Sequence, residues 1–384
     1  MQHDGGHFPR QVAAYTSVFS GLDLKTNIFH HCNWSGSSHK NWFGVFAIPD
    51  HAIGVGKVNH AQQLEAVSSY FEDCFTHCID RSHASLALFP TLRFLTVDAA
   101  VAAVESSVRL SGAILGVMET TPVPDSDNED LVRSAFCRAA ERIQNSEKAY
   151  LLTAESMPIR AFLVECGFPV NSIVVHPYPA AHRFKQKPPT PQLCRNPECG
   201  ALGGLRQVQN PELAVEYLVS HKQANVGWTL RADLSLVESQ LGIPASNLRE
   251  VLQANHVRLF EGHLDQHDYD QILRKLDVLV LPYGKRYQTL GSGMFLEALC
   301  AGIVPLVPAQ STMRTLYLEL GGDAPAIDIL SVVGIDKAVN ACLSRLPELH
   351  RNAGKVREAW LRHSSGPVAW RDHIAKFTKE VLNI

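Results

Sequence analysis

The chain lacks any run of about 18 consecutive apolar residues, so no membrane-spanning helix is expected. Its opening, MQHDGGHFPR, lacks the apolar core of a secretory signal, which gives the expectation of a cytoplasmic protein. A surplus of positive charge is missing too. Lys and Arg number 35 against 38 Asp and Glu, and a net charge of −3 argues against a nucleic-acid partner, whose phosphates call for a basic face. The close pairs Cys74/Cys78 and Cys194/Cys199 have neither the tight spacing nor the matching second pair of a structural zinc site, so no metal is expected. The nine cysteines are an odd number, scattered through a chain without an export signal, which points to reduced thiols. His30, His31 and His176 read as hydrogen-bonded polar groups at strand ends rather than as ligands.

What is present is an ordinary globular composition, 46% hydrophobic and 19% charged. A length of 384 residues exceeds one core and suits two domains. Between them, Pro177, Pro179, Pro188, Pro189, Pro191 and Pro197 crowd a stretch that cannot hold helix or sheet ladders and reads as a semi-rigid connector. The expected boundaries are a first domain over 1–180, a linker over 181–198, a second domain over 199–365 and a final amphipathic helix over 366–384. In the first domain, Thr26–His31, Trp42–Ile48, Ala84–Phe89, Leu92–Val97, Gly112–Met118, Lys148–Thr153 and Ser172–Val175 read as strands. Helical patterns at Gln11–Ser20, Gln62–Phe75, Leu131–Gln144 and Ser156–Cys166 alternate with them. Asp98 then stands at a strand's carboxyl end facing a cleft, or caps the next helix. Only Met1–His3 precedes the Asp4-Gly5-Gly6-His7 loop, so the usual first strand of such a domain is missing or precedes this chain start.

The most informative stretch runs from His256 to Pro308. Val257–Phe260 reads as a strand, Asp268–Lys275 as a helix, and Leu276–Leu281, closed by Pro282, as a strand buried on both faces. Gly291-Ser292-Gly293 opens a helix, Met294–Ala301, that Gly302 stops; Ile303–Val307 is the next strand. This β-α-β-α-β order implies a parallel sheet with helices on both faces. A Gly-rich turn between strand end and helix start presents unpaired N–H groups, an anion site suited to phosphate. Ser292 adds a hydroxyl. Glu297, one turn further in, would repel a phosphate and suits a sugar or ribose hydroxyl pair. Diphosphate plus ribose describes a nucleotide. Before this stretch, Asn210 and Pro211 read as N-cap and N1 of a helix over Pro211–His221. After it, Ser311–Leu320, Val332–Leu346 and Ala353–His363 read as helices and Ala326–Ile329 as a last strand.

The run EGHL…DYDQIL…LDVLVLPY…GSGMFLEALCAGIVPLVP resembles the donor half of retaining glycosyltransferases of the GT-B fold, in the large group called family 4. The resemblance is strong over roughly residues 200–310. It implies an α/β protein of two Rossmann-like doubly wound domains facing a cleft, with a C-terminal helix returning to the first, acceptor-side domain. By the same resemblance Glu297 binds the donor's ribose, and Gly291, Ser292, Gly293 and Met294 hold the diphosphate. Arg206, after the first strand of that domain, meets the phosphates and counts with Thr289 and His7 as catalytic. His263 and Leu264 lie where the family contacts the base, and Gly6 where its first loop passes under the phosphates. The sequence departs from the pattern twice. Thr289 occupies the position, eight residues before Glu297, of a second glutamate that holds the donor sugar, and Gln207–Asn210 supply no lysine.

The resemblance implies transfer of a sugar, with retention, from a nucleoside diphosphate sugar to a saccharide or lipid-linked hydroxyl acceptor, as in polysaccharide or glycolipid assembly. No cofactor or metal is expected, because backbone donors and Arg206 can stabilise the leaving diphosphate. The setting is the cytoplasm, with peripheral association at the inner face of the membrane. Two rivals stay open: a nucleotide-sugar epimerase of the same architecture, and a non-catalytic nucleotide-sugar binder.

Overall fold

The computed structural model describes residues 15–24, 28–31, 42–46, 85–93, 96–119, 129–176, 196–204, 207–220, 225–262, 264 and 266–384. The chain divides into two compact units, Met1–Pro179 with Val368–Ile384, and Ala180–Pro367.

In the first unit, residues 15–20 are helical, and β1 (Ile28–His31) pairs in parallel with β2 (Trp42–Phe46). A second sheet follows from β3 (Ser85–Arg93), α1 (Thr96–Ser106), β4 (Leu110–Glu119), α2 (Glu129–Gln144), β5 (Ala149–Ala154), α3 (Met157–Glu165) and β6 (Ile173–Val175). Its strands are all parallel and lie in sequence order, β3-β4-β5-β6. Helical crossovers moving the chain one strand at a time give that order. Ala113, Ile114 and Leu115 of the central β4 have no exposed surface, and α1 lies against the core through Ala99, Ala100, Ala103 and Val104. Lys148 closes the carboxyl end of α1, its ammonium donating to the carbonyls of Val104, Glu105 and Ser107. A cation there also suits the negative end of the helix dipole.

Two expectations change here. One strand, β3, runs where two were expected, because the ladder absorbs Pro90 in a register shift between Phe89 and Leu92. A proline without an N–H fits a sheet at such an irregularity. The reading of Leu92–Val97 as a strand therefore fails, and Asp98 does not face a cleft. It sits in the first turn of α1, buried, with its carboxylate 2.8 Å from Arg138 and 3.4 Å from Arg142 of α2. The helix expected at Gln62–Phe75 lies outside the described residues.

The second unit holds β7 (Glu198–Gly204), α4 (Pro211–Ser220), β8 (Gly227–Ala232), α5 (Leu234–Leu241), α6 (Ala245–Ala254) and β9 (Val257–Phe260). Then come α7 (Gln266–Lys275), β10 (Val278–Val280), α8 (Gly293–Ala301), β11 (Val304–Leu306), α9 (Thr312–Glu319), α10 (Val332–Ser344) and α11 (Leu346–Arg362). The five strands are parallel, in the order β11-β10-β7-β8-β9. Val278, Leu279 and Val304 are wholly buried, as strands covered on both faces require. The strand expected at Ala326–Ile329 is only a single bridge, Ile327 to Pro308, and both are flanked or formed by prolines that cannot extend a ladder. Helix α11 begins earlier than expected because Pro347 suits a first helical turn.

The final helix, α12 (Pro367–Leu382), belongs to the first unit. Trp370 and Ile374 pack into a cluster with Tyr15, Val18, Phe19 and Ile114, and the Trp370 ring meets Tyr15 edge-on at 4.9 Å. His176, at the end of β6, has Nε2 2.8 Å from Nδ1 of His373 on the same helix, a hydrogen-bonded strand-end group. Among the described residues, no helix is long and apolar enough to cross a membrane.

Candidate functional site

The order of the second sheet locates a crevice. From β7 the chain steps outward to β8 and β9, then returns to place β10 and β11 on the other side of β7. The connections leaving β7 and β10 therefore diverge, and the gap at their carboxyl ends is where open α/β sheets bind ligands.

Three pieces of chain border that gap. The exit of β7 contributes Gly203, followed by the turn Gln207–Gln209 and by Asn210. The exit of β10 contributes Pro282 and Tyr283, then a single 3₁₀ turn, Lys285–Gln288. The third piece is Gly291-Ser292 and the start of α8. Ser292 caps this helix, its Oγ accepting from Phe295 N at 3.2 Å, and Gly302 ends it in the left-handed conformation. The amides of Gly293 and Met294, at the first two helical positions, have no acceptor among the described residues. Such amides attract negative charge. No Asp or Glu occurs between Asp277 and Glu297, whereas Lys285 and Arg286 do, so the local chain charge has the same sign.

Every residue of α8 except Met294 is buried, and Glu297 has no exposed surface. A buried carboxylate needs a partner. Here Oε2 accepts the phenol of Tyr269, from α7, at 2.5 Å. Thr289 is half-buried, and its hydroxyl donates to the carbonyl of Arg286 at 3.3 Å. Thus Gly291, Ser292, Gly293, Met294, Thr289 and Glu297 come together within one loop and helix. Leu264 is half-buried beyond the end of β9. Gly6, His7, Arg206 and His263, expected to serve the site, lie outside the described residues. Among the described residues, no group of three or more His, Cys, Asp or Glu side chains is placed to hold a metal ion.

Sequence reasoning missed four residues that shape this edge. Tyr283, buried, accepts a hydrogen bond from Gln209 Nε2 at 3.3 Å and points its hydroxyl at Met294 Sδ, 3.8 Å away. Asn210 stands where expected, directly before Pro211, the first residue of α4, but it adopts φ 46° and its side-chain amide donates to the carbonyl of Pro282 at 3.0 Å. Tyr269 is the fourth, the donor to Glu297. The one available signal was a polar aromatic directly after the strand-closing Pro282.

No protein-family model matches the chain, and no curated protein matches it. Solved structures do. A sucrose-phosphate synthase from Thermosynechococcus elongatus is similar at TM-score 0.66 and 11% identity, over 97% of this chain and 92% of that one. WaaG, a glycosyltransferase involved in lipopolysaccharide biosynthesis, matches at TM-score 0.59 and 15% identity over 96% of each chain. The trehalose-6-phosphate synthase OtsA matches at 0.63 and 12%, over 100% of this chain and 96% of that chain. Identities this low speak for architecture alone. With a parallel α/β sheet of four strands in the first unit and of five in the second, and with these neighbours spanning nearly its whole length, the chain has the GT-B fold, far diverged in sequence from the glycosyltransferases that share it.

Proposed function

We propose that the protein is a glycosyltransferase that moves a sugar from a nucleoside diphosphate sugar to a hydroxyl acceptor, with retention. The observation that carries this reading is the pair of amides of Gly293 and Met294, without an acceptor among the described residues, at the switch point of the second sheet, in a carboxylate-free stretch with Lys285 and Arg286. As the glycosidic bond breaks, charge grows on the departing diphosphate. The amides of Ser292, Gly293 and Met294, joined by Arg206, would meet it without reorganising, which is the most effective form of electrostatic catalysis. Glu297 would take the ribose hydroxyls, displacing or sharing the Tyr269 phenol. Leu264 and His263 would border the base, Thr289 would contact the sugar, and Gly6 and His7 would serve from the first unit, which takes the acceptor. The reading needs no metal or other cofactor. Assembly of a polysaccharide or glycolipid, in the cytoplasm or at the inner membrane face, is the proposed setting; WaaG, one of the similar structures, is involved in lipopolysaccharide biosynthesis.

Calorimetry with UDP, GDP and ADP tests the donor site. One of the three should bind, and Glu297→Ala should weaken it; failure of all three to bind ends the proposal. One observation favours a second reading, a nucleotide-sugar binder without transfer activity: Glu297 is fully buried and the Thr289 hydroxyl is occupied by Arg286. Donor hydrolysis or transfer by the wild type would dismiss that alternative. A gain of either in Thr289→Glu would support it.

A further inference from the structure

Tyr283 joins all three pieces of chain that border the switch point. Its ring packs on Tyr287, with centroids 4.3 Å apart, and only 1% of the residue is exposed. Its hydroxyl lies between Gln209, in the turn after β7, and the thioether of Met294, at the second position of α8. Gly203, at the exit of β7, leaves the room that this hydroxyl occupies: a Cβ there would fall far inside contact distance of the oxygen. The preceding residue is tied as well. The Pro282 carbonyl holds the side chain of Asn210, which keeps a non-glycine residue at φ 46°. Residues held in the left-handed region cost energy and persist where the surroundings fix them.

A buried tyrosine that only filled space would be served equally by phenylalanine. Here the hydroxyl is the part that is placed. It faces the Gln209 amide from the turn after β7 and the Met294 thioether from α8, and β7 gives up a side chain to admit it. We infer that Tyr283 is a positioning residue, whose hydroxyl links the Gln209 side chain, in the turn after β7, to the Met294 side chain and so keeps the start of α8 in register with that turn, so that both can grip one diphosphate. This rests on the donor-site reading given above. The gain is preorganisation: donors held in place before the ligand arrives need not be ordered by it.

The test uses the full chain, calorimetry, and UDP, GDP and ADP with their parent nucleosides. Tyr283→Phe should weaken the diphosphate that the wild type binds by roughly three- to tenfold, the effect of one net hydrogen bond. Affinity for the parent nucleoside, which has no diphosphate, should stay unchanged. Gln209→Ala should act in the same direction. The double variant should lose less than the product of the two single losses, because both remove the same link. Gln209 is only half-buried, so this second variant folds even if Tyr283→Phe does not. Equal losses for nucleoside and diphosphate would reduce Tyr283 to packing, and an unchanged diphosphate affinity in both single variants would overturn the inference while leaving the donor site standing. A wild type that binds no diphosphate would overturn both.

Discussion

Removing the phenol of Tyr269 should make the second unit less stable and its nucleotide binding tighter. In Tyr269→Phe the ring stays and only the donor to Glu297 goes. That donor reaches a carboxylate with no exposed surface, at 2.5 Å, the short range of charge-assisted O–H···O⁻ bonds. Hydrogen bonds to charged groups contribute about 1.5–3 kcal/mol. For a unit of this size that corresponds to a drop in melting temperature of roughly 3 to 12 °C, read by calorimetric scanning of the full chain. Binding should respond with the opposite sign. A buried carboxylate short of one donor favours any ligand that supplies one, and a ribose supplies two, so the affinity for a ribonucleoside diphosphate rises. Stability and affinity that both stay at wild-type values would show that Glu297 depends on neither the phenol nor a ribose, and the assignment of Glu297 would fall.

Gly203→Ala forces a methyl into the Tyr283 hydroxyl; a destabilisation of about 1–3 kcal/mol, typical of overpacking, is expected in urea unfolding. Asp98→Asn removes the buried charge that pairs Arg138 and Arg142. Both arginines are nearly half exposed and can return to water, so the expected loss is about 1–2 kcal/mol, below that of breaking a fully buried pair. Glu212, in the first turn of α4, has its carboxyl raised above the usual carboxylate range chiefly by burial, and its Oε2 is buried without a hydrogen bond among the described residues. A raised folded-state value means that its contribution is full below the unfolded value of about 4.3 and is lost as pH rises through the folded one. Glu212→Gln should therefore raise the melting temperature at pH 7 and change it little at pH 3.5; since the group is partly exposed, the gain should stay below about 1 kcal/mol.

The architecture was legible wherever local pattern and burial agreed. The Gly-Ser-Gly turn and Gly302 mark α8 to within one residue, and the apolar run closed by Pro282 locates β10 though it reads longer than the strand, because a cap and a buried strand leave their mark in neighbouring positions. Pro90 misled in the opposite way. A proline reads as a break, yet a register shift lets β3 continue through it, and the shift depends on the partner strand β4. The polar detail of the site was out of reach for the same reason. Gln209 meets Tyr283 across 74 residues and Tyr269 meets Glu297 across 28, and no periodicity encodes such pairs. Asn210 shows what a distant partner hides: its place before α4 was legible, its bond to Pro282 was not.

The first unit is made of two stretches separated in sequence, since α12 seals Tyr15, Val18 and Phe19 only after all of Ala180–Pro367 has been made. At ~5–20 residues per second on the ribosome, the nascent amino-terminal segment waits on the order of ten seconds or more for its closing helix. Throughout that interval its aromatic surface is open to chaperones or to other nascent copies. Loss of Val368–Ile384 would make that exposure permanent, so damage to α12 would surface as aggregation through a helix far away in the sequence.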